Sequence, residues 1–340
     1  MKVIKRIAYL FMLVIIGSNL SSCIRDEDKT IKLKCQSKIK CSDVLSEIGS
    51  IIPLNDTCFF ALSGATSPFA SIINRFDGKV INQFGSFGKD KNGLVWPRLI
   101  KNDCNDYPYN MIDMALGKFV HLYKDSVVDW YNNLKCELAE SCVFINDSVT
   151  ILSYLGTDTR FKLFKNGKDI AKEINIDYPI KDNISKAQAS MVCQGQLLKR
   201  PESNHFVHFS RHGKILEFFS FDSDNMSIKR DTSINKIQPK FKKDSSNTKE
   251  ISGNFVSNNK IGYISGFPTK EYLYLLYSGK VMSDPSKRQT NIIEQYDWDG
   301  NIINRFELDN EVLDFFIDGQ NIISLGKRPD GYYIYFYEIA

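Results

Sequence analysis

Residues 292–306 read IIEQYDWDGNIINRF, with β-branched and aromatic residues on both sides of an Asp-Gly pair. Glycine accepts the positive φ of a tight turn, and Ile, Tyr and Phe favour extended strands. The segment therefore predicts a β-hairpin. Three other segments repeat this arrangement of strand, glycine turn and strand: IINRFDGKVINQF (72–84), FKLFKNGKDI (161–170) and FVHFSRHGKILEF (206–218).

The spacing of these hairpins suggests a repeating unit. Their turn glycines lie 89, 46 and 87 residues apart, at Gly78, Gly167, Gly213 and Gly300. A unit of about 45 residues matches one four-stranded blade of a β-propeller. Residues 127–138 would supply a further hairpin with an Asn-Asn turn, whereas the polar, lysine-rich stretch 223–254 is expected to be a long connection.

The two ends of the chain supply a sixth unit. Three strands are predicted near the C-terminus, at 312–317, 321–325 and 332–339, and no fourth strand follows them. Residues 31–35 would complete the set, which closes the ring and hides its edges. We therefore predict an all-β fold: a six-bladed β-propeller whose ring is closed by an N-terminal strand joining the C-terminal blade.

The first residues have the organisation of a bacterial lipoprotein signal. A basic start precedes an apolar run at 7–16, which is too short to span a bilayer as a stable helix. The residues Leu20-Ser21-Ser22-Cys23 that follow resemble a lipobox, which implies acylation of Cys23 and stable attachment to the membrane. The predicted organisation is a signal peptide at 1–22, a lipidated flexible tether at 23–30 and a single propeller at 31–340.

Composition and charge narrow the possible functions. The chain is 43% hydrophobic and 25% charged, as in ordinary globular proteins, which excludes wholesale disorder and a multi-span membrane protein. Its net charge is +4, but removal of Lys2, Lys5 and Arg6 with the signal leaves 41 basic and 40 acidic residues. This balance disfavours nucleic acid as a partner.

Several short motifs together resemble those of one family. Besides the lipobox, they are YLLYSG (274–279), YDWDG (296–300), RPDGYYIYFYE (328–338) and the loop GSFGKDKNGLVWP (85–97), which is similar to a loop of NHL-type propellers. The chain thus resembles the TolB-like six-bladed β-propeller lipoproteins of Bacteroidetes. The resemblance implies the propeller fold and an outer-membrane location, on the periplasmic side or at the cell surface. It implies no particular activity.

The acidic cluster after the lipobox bears on the final location. Residues 24–29 read IRDEDK and resemble the export signal that Bacteroidetes use to send lipoproteins to the cell surface. The alternative is a solvated tether, which requires polar residues in any case. Both interpretations place the folded part outside the inner membrane.

The cysteines and histidines indicate no metal or redox site. Seven cysteines remain after Cys23, an odd number without CxxC spacing, and we expect most to be small buried residues, Cys58 and Cys193 in particular. His205 and His208 would point to opposite faces of a strand, and His212 lies in a turn. Neither a P-loop nor a Gly-x-Ser-x-Gly elbow occurs. We therefore predict neither a metal nor another cofactor.

Two groups of residues are candidates for ligand binding, because Trp, Tyr and Arg are enriched in binding sites and loops carry function. The first follows the first blade and the second belongs to the fourth blade: Trp96, Arg98, Tyr107 and Tyr109, and Arg200, Glu202 and His205. The alternative is ordinary packing between blades.

The expected function is that of a lipid-anchored envelope protein that recognises a peptide, protein or glycan without catalysis. The alternative is an envelope hydrolase or lyase with a polar or metal site at the mouth of the central channel. Converging carboxylates or histidines at that mouth would favour the enzyme. A rim of aromatic and arginine side chains would favour binding.

Overall fold

A computed structural model of the chain describes residues 30–42, 47–64, 67–89, 93–100, 110–113, 115–123, 126–129, 138–146, 148–165, 168–243 and 252–339. These residues form six sheets of four or five strands and one two-stranded ribbon. Each large sheet is one blade. Apart from the two N-terminal strands, the strands of a blade follow one another along the chain. No helix among the described residues is long and apolar enough to cross a membrane.

Two N-terminal strands precede the first blade: β1 (Thr30–Leu33) and β2 (Ser37–Lys40). Blade 1 contains β3 (Ile48–Asn55), β4 (Cys58–Ser63), β5 (Ala70–Asn74) and β6 (Val80–Phe84), and the short ribbon of β7 (Ser86–Phe87) and β8 (Gly93–Leu94) follows it. Blade 2 contains β9 (Pro97–Ile100), β10 (Asn110–Asp113), β11 (Lys118–Tyr123) and β12 (Ser126–Asp129). Blade 3 contains β13 (Ala139–Asn146), β14 (Val149–Tyr154), β15 (Phe161–Lys165) and β16 (Lys168–Ile174).

A seven-residue helix, α1 (Lys186–Val192), with Ser185 as its N-cap, connects blades 3 and 4. Blade 4 contains β17 (Gly195–Lys199), β18 (His205–Ser210), β19 (Lys214–Asp222) and β20 (Ser227–Ile237). Blade 5 contains β21 (Tyr263–Pro268), β22 (Tyr272–Tyr277), β23 (Thr290–Asp297) and β24 (Ile302–Val312). Blade 6 contains β25 (Asp314–Asp318), β26 (Asn321–Arg328) and β27 (Gly331–Glu338).

The N-terminal segment closes the ring, as the sequence predicts, but with a different strand. β2 pairs antiparallel with β27 and becomes the fourth strand of blade 6. Residues 31–35, the predicted closing strand, instead contribute to β1, which runs parallel to β24 as a fifth strand of blade 5. The segment therefore covers the outer edges of two blades, which removes two exposed edges where one was expected.

Four of the predicted hairpins form, and one of them joins a different pair of strands in its blade from the other three. The segments 72–84, 161–170 and 292–306 join the third and fourth strands of blades 1, 3 and 5. The segment 206–218 is also a hairpin, but it joins the second and third strands of blade 4. Its glycine marks a different turn from the other three.

One predicted segment lies mostly outside the described residues, and another differs from the prediction. Of the hairpin predicted at 127–138, residues 130–137 are not described, and residues 127–129 belong to β12, which pairs with the preceding strand β11. The stretch 223–254 is not wholly a connection, because it contains β20, which pairs with β19 along its length. β20 is the outer strand of its blade, so a polar sequence with one solvent-facing edge is compatible with a strand there.

Aromatic residues pack the interfaces between blades. The ring centroids of Phe59 in blade 1 and Phe316 in blade 6 are 5.8 Å apart. Between blades 3 and 4, the rings of Phe161 and Phe206 meet edge-on with their centroids 6.0 Å apart. Within blade 4, the Phe206 ring stacks on that of Phe219 at a centroid distance of 5.2 Å. These contacts account for the high aromatic content, because such ring pairs add to the stabilisation from apolar burial.

Four cysteines of the described part of the chain, Cys35, Cys41, Cys58 and Cys193, are free thiols. Cys41, Cys142 and Cys193 are buried as expected, whereas Cys58 is partly exposed at the start of β4. Cys193 is the C-cap of α1 and so lies outside the strands. Cys104 and Cys136 fall outside the described residues.

Two buried ion pairs repeat between neighbouring blades. Arg160, just before the third strand of blade 3, holds Glu217 on the third strand of blade 4 in a two-bonded pair. Lys214 begins the third strand of blade 4 and lies 2.6 Å from Glu294 on the third strand of blade 5. Both glutamates are fully buried. Each pair therefore fixes one blade against the next at an equivalent position.

Asp314 joins three blades at the point where the ring closes. Its side chain is 1% exposed at the start of blade 6. One carboxylate oxygen accepts the backbone N–H of Ile51 in blade 1 at 2.9 Å, and the other accepts the hydroxyl of Ser265 in blade 5. Because a buried carboxylate requires such partners, this residue ties the first and last blades together.

We expect Asp314→Asn to lower the free energy of unfolding by about 3 kcal/mol. The amide nitrogen is a donor, and it would replace one of the two carboxylate oxygens that each accept a hydrogen bond. Urea unfolding followed by tryptophan fluorescence measures this loss. Asp318→Asn, on the same strand and paired with Arg75 near the surface, is the matched control and should lose about 1 kcal/mol or less. Equal losses in the two variants would contradict the role given to Asp314.

Candidate functional site

The first strands of the blades surround the central axis in the order β9, β13, β17, β21, β25 and β3. Neighbouring first strands run in the same direction. The backbone N–H of Gly195 in β17 bonds to the side chain of Glu140 in β13. Further along both strands, the backbone N–H of Leu197 donates to the hydroxyl oxygen of Ser141 at 3.0 Å. All first strands therefore begin at one end of the ring, which we name the top face. The hairpins between second and third strands lie there too.

A buried carboxylate positions the predicted binding residue Trp96 at the top face. Asp113 is fully buried and accepts the backbone N–H groups of Val95 at 2.5 Å, Trp96 at 3.3 Å, Ala115 at 2.9 Å and Leu116 at 3.0 Å. The indole of Trp96 remains 54% exposed. A fixed backbone thus presents a large aromatic side chain to solvent.

Arg98 lies beside this tryptophan. Its guanidinium carbon is 5.3 Å from the centre of the indole ring. The Nη1 atom is buried and has no hydrogen-bond partner among the described residues. Burial, together with the charges of Arg211 and Arg288, lowers the pKa of Arg98 to about 9. The side chain is still charged at neutral pH, and one of its nitrogens lacks an acceptor.

Glu140 faces the same region from the second position of β13. It is 3% exposed, and its Oε1 atom has no hydrogen-bond partner among the described residues. Burial raises the pKa of the carboxyl to about 7, against the opposing effects of Arg211, Arg98 and the Gly195 N–H. Glu140 therefore exchanges a proton near neutral pH.

Two further arginines complete the group. Arg211 is half-buried in the hairpin after β18, and Arg288 is exposed just before β23, so both lie at the top face. The charges of Glu140 and Arg288 both act on Arg211. We name Arg98, Arg211, Arg288 and Glu140 the arginine cluster. It combines three guanidinium groups with one carboxyl group.

A close backbone contact holds Arg211 in this position. Its N–H donates to the carbonyl of Gln194 at 2.8 Å, and its carbonyl accepts the N–H of Gly262 at 2.7 Å. A Cβ atom on Gly262 would come within 2.5 Å of the Gly213 carbonyl oxygen. Glycine is therefore required where the linker to blade 5 crosses the hairpin of blade 4.

Potential nucleophiles and bases near the cluster are held uncharged. Burial raises the pKa of the Cys193 thiol, with a further contribution from Glu217. Burial and the charge of Arg160 keep the pKa of His208 well below its ordinary value. A thiol that holds its proton is a poor nucleophile. The Cys193 thiol and the His208 imidazole are therefore both uncharged at neutral pH.

The second predicted group lies at the opposite end of the ring. Arg200, Glu202 and His205 lie in or next to the hairpin between the first two strands of blade 4. Arg200 donates to the carbonyl of Lys270 at 2.9 Å, and Glu202 pairs with the Lys270 ammonium at 2.5 Å. His205 Nδ1 is 2.9 Å from Ser203 Oγ. Each of the three side chains is thus hydrogen-bonded or ion-paired to a neighbouring residue at the surface.

The structure therefore brings Trp96 and Arg98 together and separates them from the second group. Tyr107 and Tyr109 lie outside the described residues, as does Cys23. Sequence reasoning missed Glu140, Arg211 and Arg288. The one available signal for Glu140 was a charged residue within the largely apolar strand AESCVFIN.

We expect Glu140→Gln to stabilise the protein at pH 8 by up to about 3 kcal/mol and to have little effect at pH 4. The pKa of Glu140 is raised on folding, so wild-type stability is highest below the unfolded pKa and falls as pH rises to about 7. Gln does not titrate and escapes this loss. Urea midpoints at the two pH values measure the difference.

The exposed Glu202→Gln is the control for this measurement, and its effect should be small and independent of pH. A Glu140→Gln effect of the same size at pH 4 and pH 8 would contradict the proton exchange assigned to Glu140.

Two solved structures share the overall fold at low sequence identity. One is a Bacteroides fragilis protein named as a candidate exported protein, with 13% identity, a TM-score of 0.55, and coverage of 91% of this chain and 99% of that one. The other is a DUF4221 family member from Bacteroides vulgatus, with 11% identity, a TM-score of 0.52, and coverage of 90% and 97%. At such identity the similarity shows the fold alone.

No curated protein matches the chain by sequence. A family model does match, that of the TolB-like 6-blade propeller-like proteins, over residues 133–320. This region is more than half of the chain and covers blades 3 to 5, which carry Glu140, Arg211 and Arg288. With six sheets arranged around one axis, the chain belongs to the TolB-like six-bladed propeller family.

Proposed function

We propose that this protein is a lipid-anchored envelope protein that binds a peptide, protein or glycan at the top face of its propeller. The observation that carries the proposal is a pair of buried polar atoms at this face, Arg98 Nη1 and Glu140 Oε1, for which the described ranges supply no hydrogen-bond partner. Buried polar atoms without partners are costly and rare in folded proteins. A ligand that supplied both partners would remove that cost.

The surroundings of these atoms are typical of a binding surface. An exposed tryptophan stands next to a guanidinium group, and two more arginines lie on the neighbouring hairpins. Tryptophan and arginine contribute more binding energy than other residue types at interfaces. The backbone of Trp96 is held by Asp113, and that of Arg211 by Gln194 and Gly262, so little ordering of these two residues is required on binding.

One observation favours the alternative, an envelope hydrolase or lyase. A carboxyl group with a pKa of about 7 is suited to general acid–base catalysis. Asp113, another buried acid at this face, already accepts four backbone N–H groups and is not available as a second catalytic group. Binding requires no second catalytic group, and we therefore prefer the binding function to the hydrolase or lyase.

The envelope location rests on the N-terminal sequence and on the name of one structural relative. Residues 1–23 have the zones of a lipoprotein signal, and the Bacteroides fragilis relative is named as a candidate exported protein. With Cys23 acylated, the propeller would be attached to the outer membrane, on the periplasmic side or at the cell surface. Two or three acyl chains suffice for stable attachment.

We expect Cys23→Ser to abolish acylation, because the serine side chain lacks the thiol that receives the lipid. Metabolic labelling with a radioactive fatty acid, followed by fractionation of membranes, measures this. The wild-type protein should carry label and sediment with membranes, and the variant should carry none. A variant that is labelled and processed normally would contradict the anchor assignment.

We expect Arg98→Gln to lose the native envelope ligand and Arg200→Gln, at the opposite end, to retain it. Detergent-solubilised envelopes passed over the tagged wild-type protein and both variants would show this by the ligand recovered. Loss with Arg200→Gln alone would place binding at the wrong end. Recovery of no ligand, together with turnover of a glycan or ester, would favour the enzyme instead.

A further inference from the structure

The chemistry of the arginine cluster narrows the class of ligand. We propose that the top face binds an acidic sugar, a hexuronic acid residue of a glycan, with its carboxylate on the arginines and a hydroxyl group on Glu140. This inference rests on the proposed function, because it takes the top face as the binding site. It adds the chemical class of the ligand and the role of each side chain.

The charges of the cluster favour an anionic ligand. Its three guanidinium groups outnumber its one carboxyl group, so the cluster has a surplus of positive charge whether or not Glu140 is protonated. Guanidinium groups bind planar carboxylates through paired, charge-assisted hydrogen bonds. The Nη1 atom of Arg98 is buried and has no acceptor within the described part of the chain, which makes it the anchor for such a carboxylate.

Glu140 selects among anions. Its Oε1 atom also has no partner among the residues that the structure describes, and an ionised carboxylate accepts hydrogen bonds but does not donate them. A sulfate ion carries no donor and would be repelled by Glu140. A uronic acid has hydroxyl groups on the same ring as its carboxylate, so one ligand supplies both the acceptor that Arg98 needs and the donor that Glu140 needs.

Trp96 distinguishes a sugar from an acidic peptide. The residue is 54% exposed, its backbone N–H is held by the Asp113 carboxylate, and the Arg98 guanidinium lies over its indole ring. The C–H face of a pyranose ring packs on the electron-rich face of an indole, because the ring face is negative and the C–H bonds are weakly positive. An aspartate or glutamate side chain has neither such a face nor a hydroxyl group.

The arrangement also explains why a buried glutamate is retained among arginines. Without a ligand its carboxyl group is costly, as the raised pKa shows. Replacing a functional group of this kind commonly gains stability and loses function. Glu140→Gln should therefore separate the two properties.

The test is isothermal titration of the detergent-solubilised full-length protein at pH 7.5. The probes are oligosaccharides of galacturonate and of glucuronate, their methyl esters, sodium sulfate and an Asp-Glu peptide. We expect at least one uronate oligosaccharide to bind, and its methyl ester to bind about tenfold more weakly or worse, because the ester removes the charge. Binding of sulfate and of the peptide should be weaker than that of the uronate.

Variants assign the contacts. Arg98→Gln and Trp96→Ala should each weaken uronate binding by about tenfold or more, while Arg200→Gln at the opposite end should leave it unchanged. Glu140→Gln should strengthen sulfate binding, because it removes a negative charge. It should weaken uronate binding relative to that of sulfate, because an amide oxygen accepts the sugar hydroxyl less strongly than a carboxylate does. Circular dichroism of each variant establishes that the propeller is folded.

Three outcomes would overturn the inference. They are equal binding of the ester and the acid, sulfate or peptide binding as tight as that of the uronate, and no binding of either uronate. If the native ligand is still lost with Arg98→Gln, these outcomes reject the acidic sugar and leave the proposed function standing. If that ligand is retained by Arg98→Gln, the proposed function fails as well.

Discussion

The structure depends on the closure of the ring, and one buried carboxylate stands where it closes. Asp314 accepts a backbone N–H from blade 1 and a hydroxyl from blade 5 while belonging to blade 6. Pairing of β2 with β27 completes the same blade from the other end of the chain. A propeller with an open seam would expose strand edges and lose the fixed spacing of its first strands. The geometry of the top face therefore depends on this closure.

Buried charges in this protein fall into two groups that differ in how they are satisfied. Glu217 and Glu294 each meet a cation from the neighbouring blade, which makes them part of the framework. Glu140 and Arg98 lie at the top face, and each has a buried atom with no partner in the described ranges. Paired charges fix the blades, whereas these two atoms would be satisfied by the ligand that we propose.

Much of the fold could be predicted from the sequence, because glycine turns between apolar strands are local signals. Pairing between distant segments was less accessible: residues 31–35 have the pattern of a strand, but nothing local tells which of two blades they join. β20 was missed because an outer strand is polar. Of the site, Trp96 and Arg98 were found by residue type. Arg211 and Arg288 come from hairpins of different blades, and only the ring brings them together.

A crystal structure of the protein grown with a galacturonate oligosaccharide would locate the bound sugar. We expect density at the top face, with a sugar carboxylate hydrogen-bonded to Arg98 Nη1, a hydroxyl group at Glu140 Oε1 and the ring against Trp96. Density for the sugar at the opposite end would contradict this expectation. So would a structure in which Arg98 and Glu140 bond to each other and leave no position for a ligand.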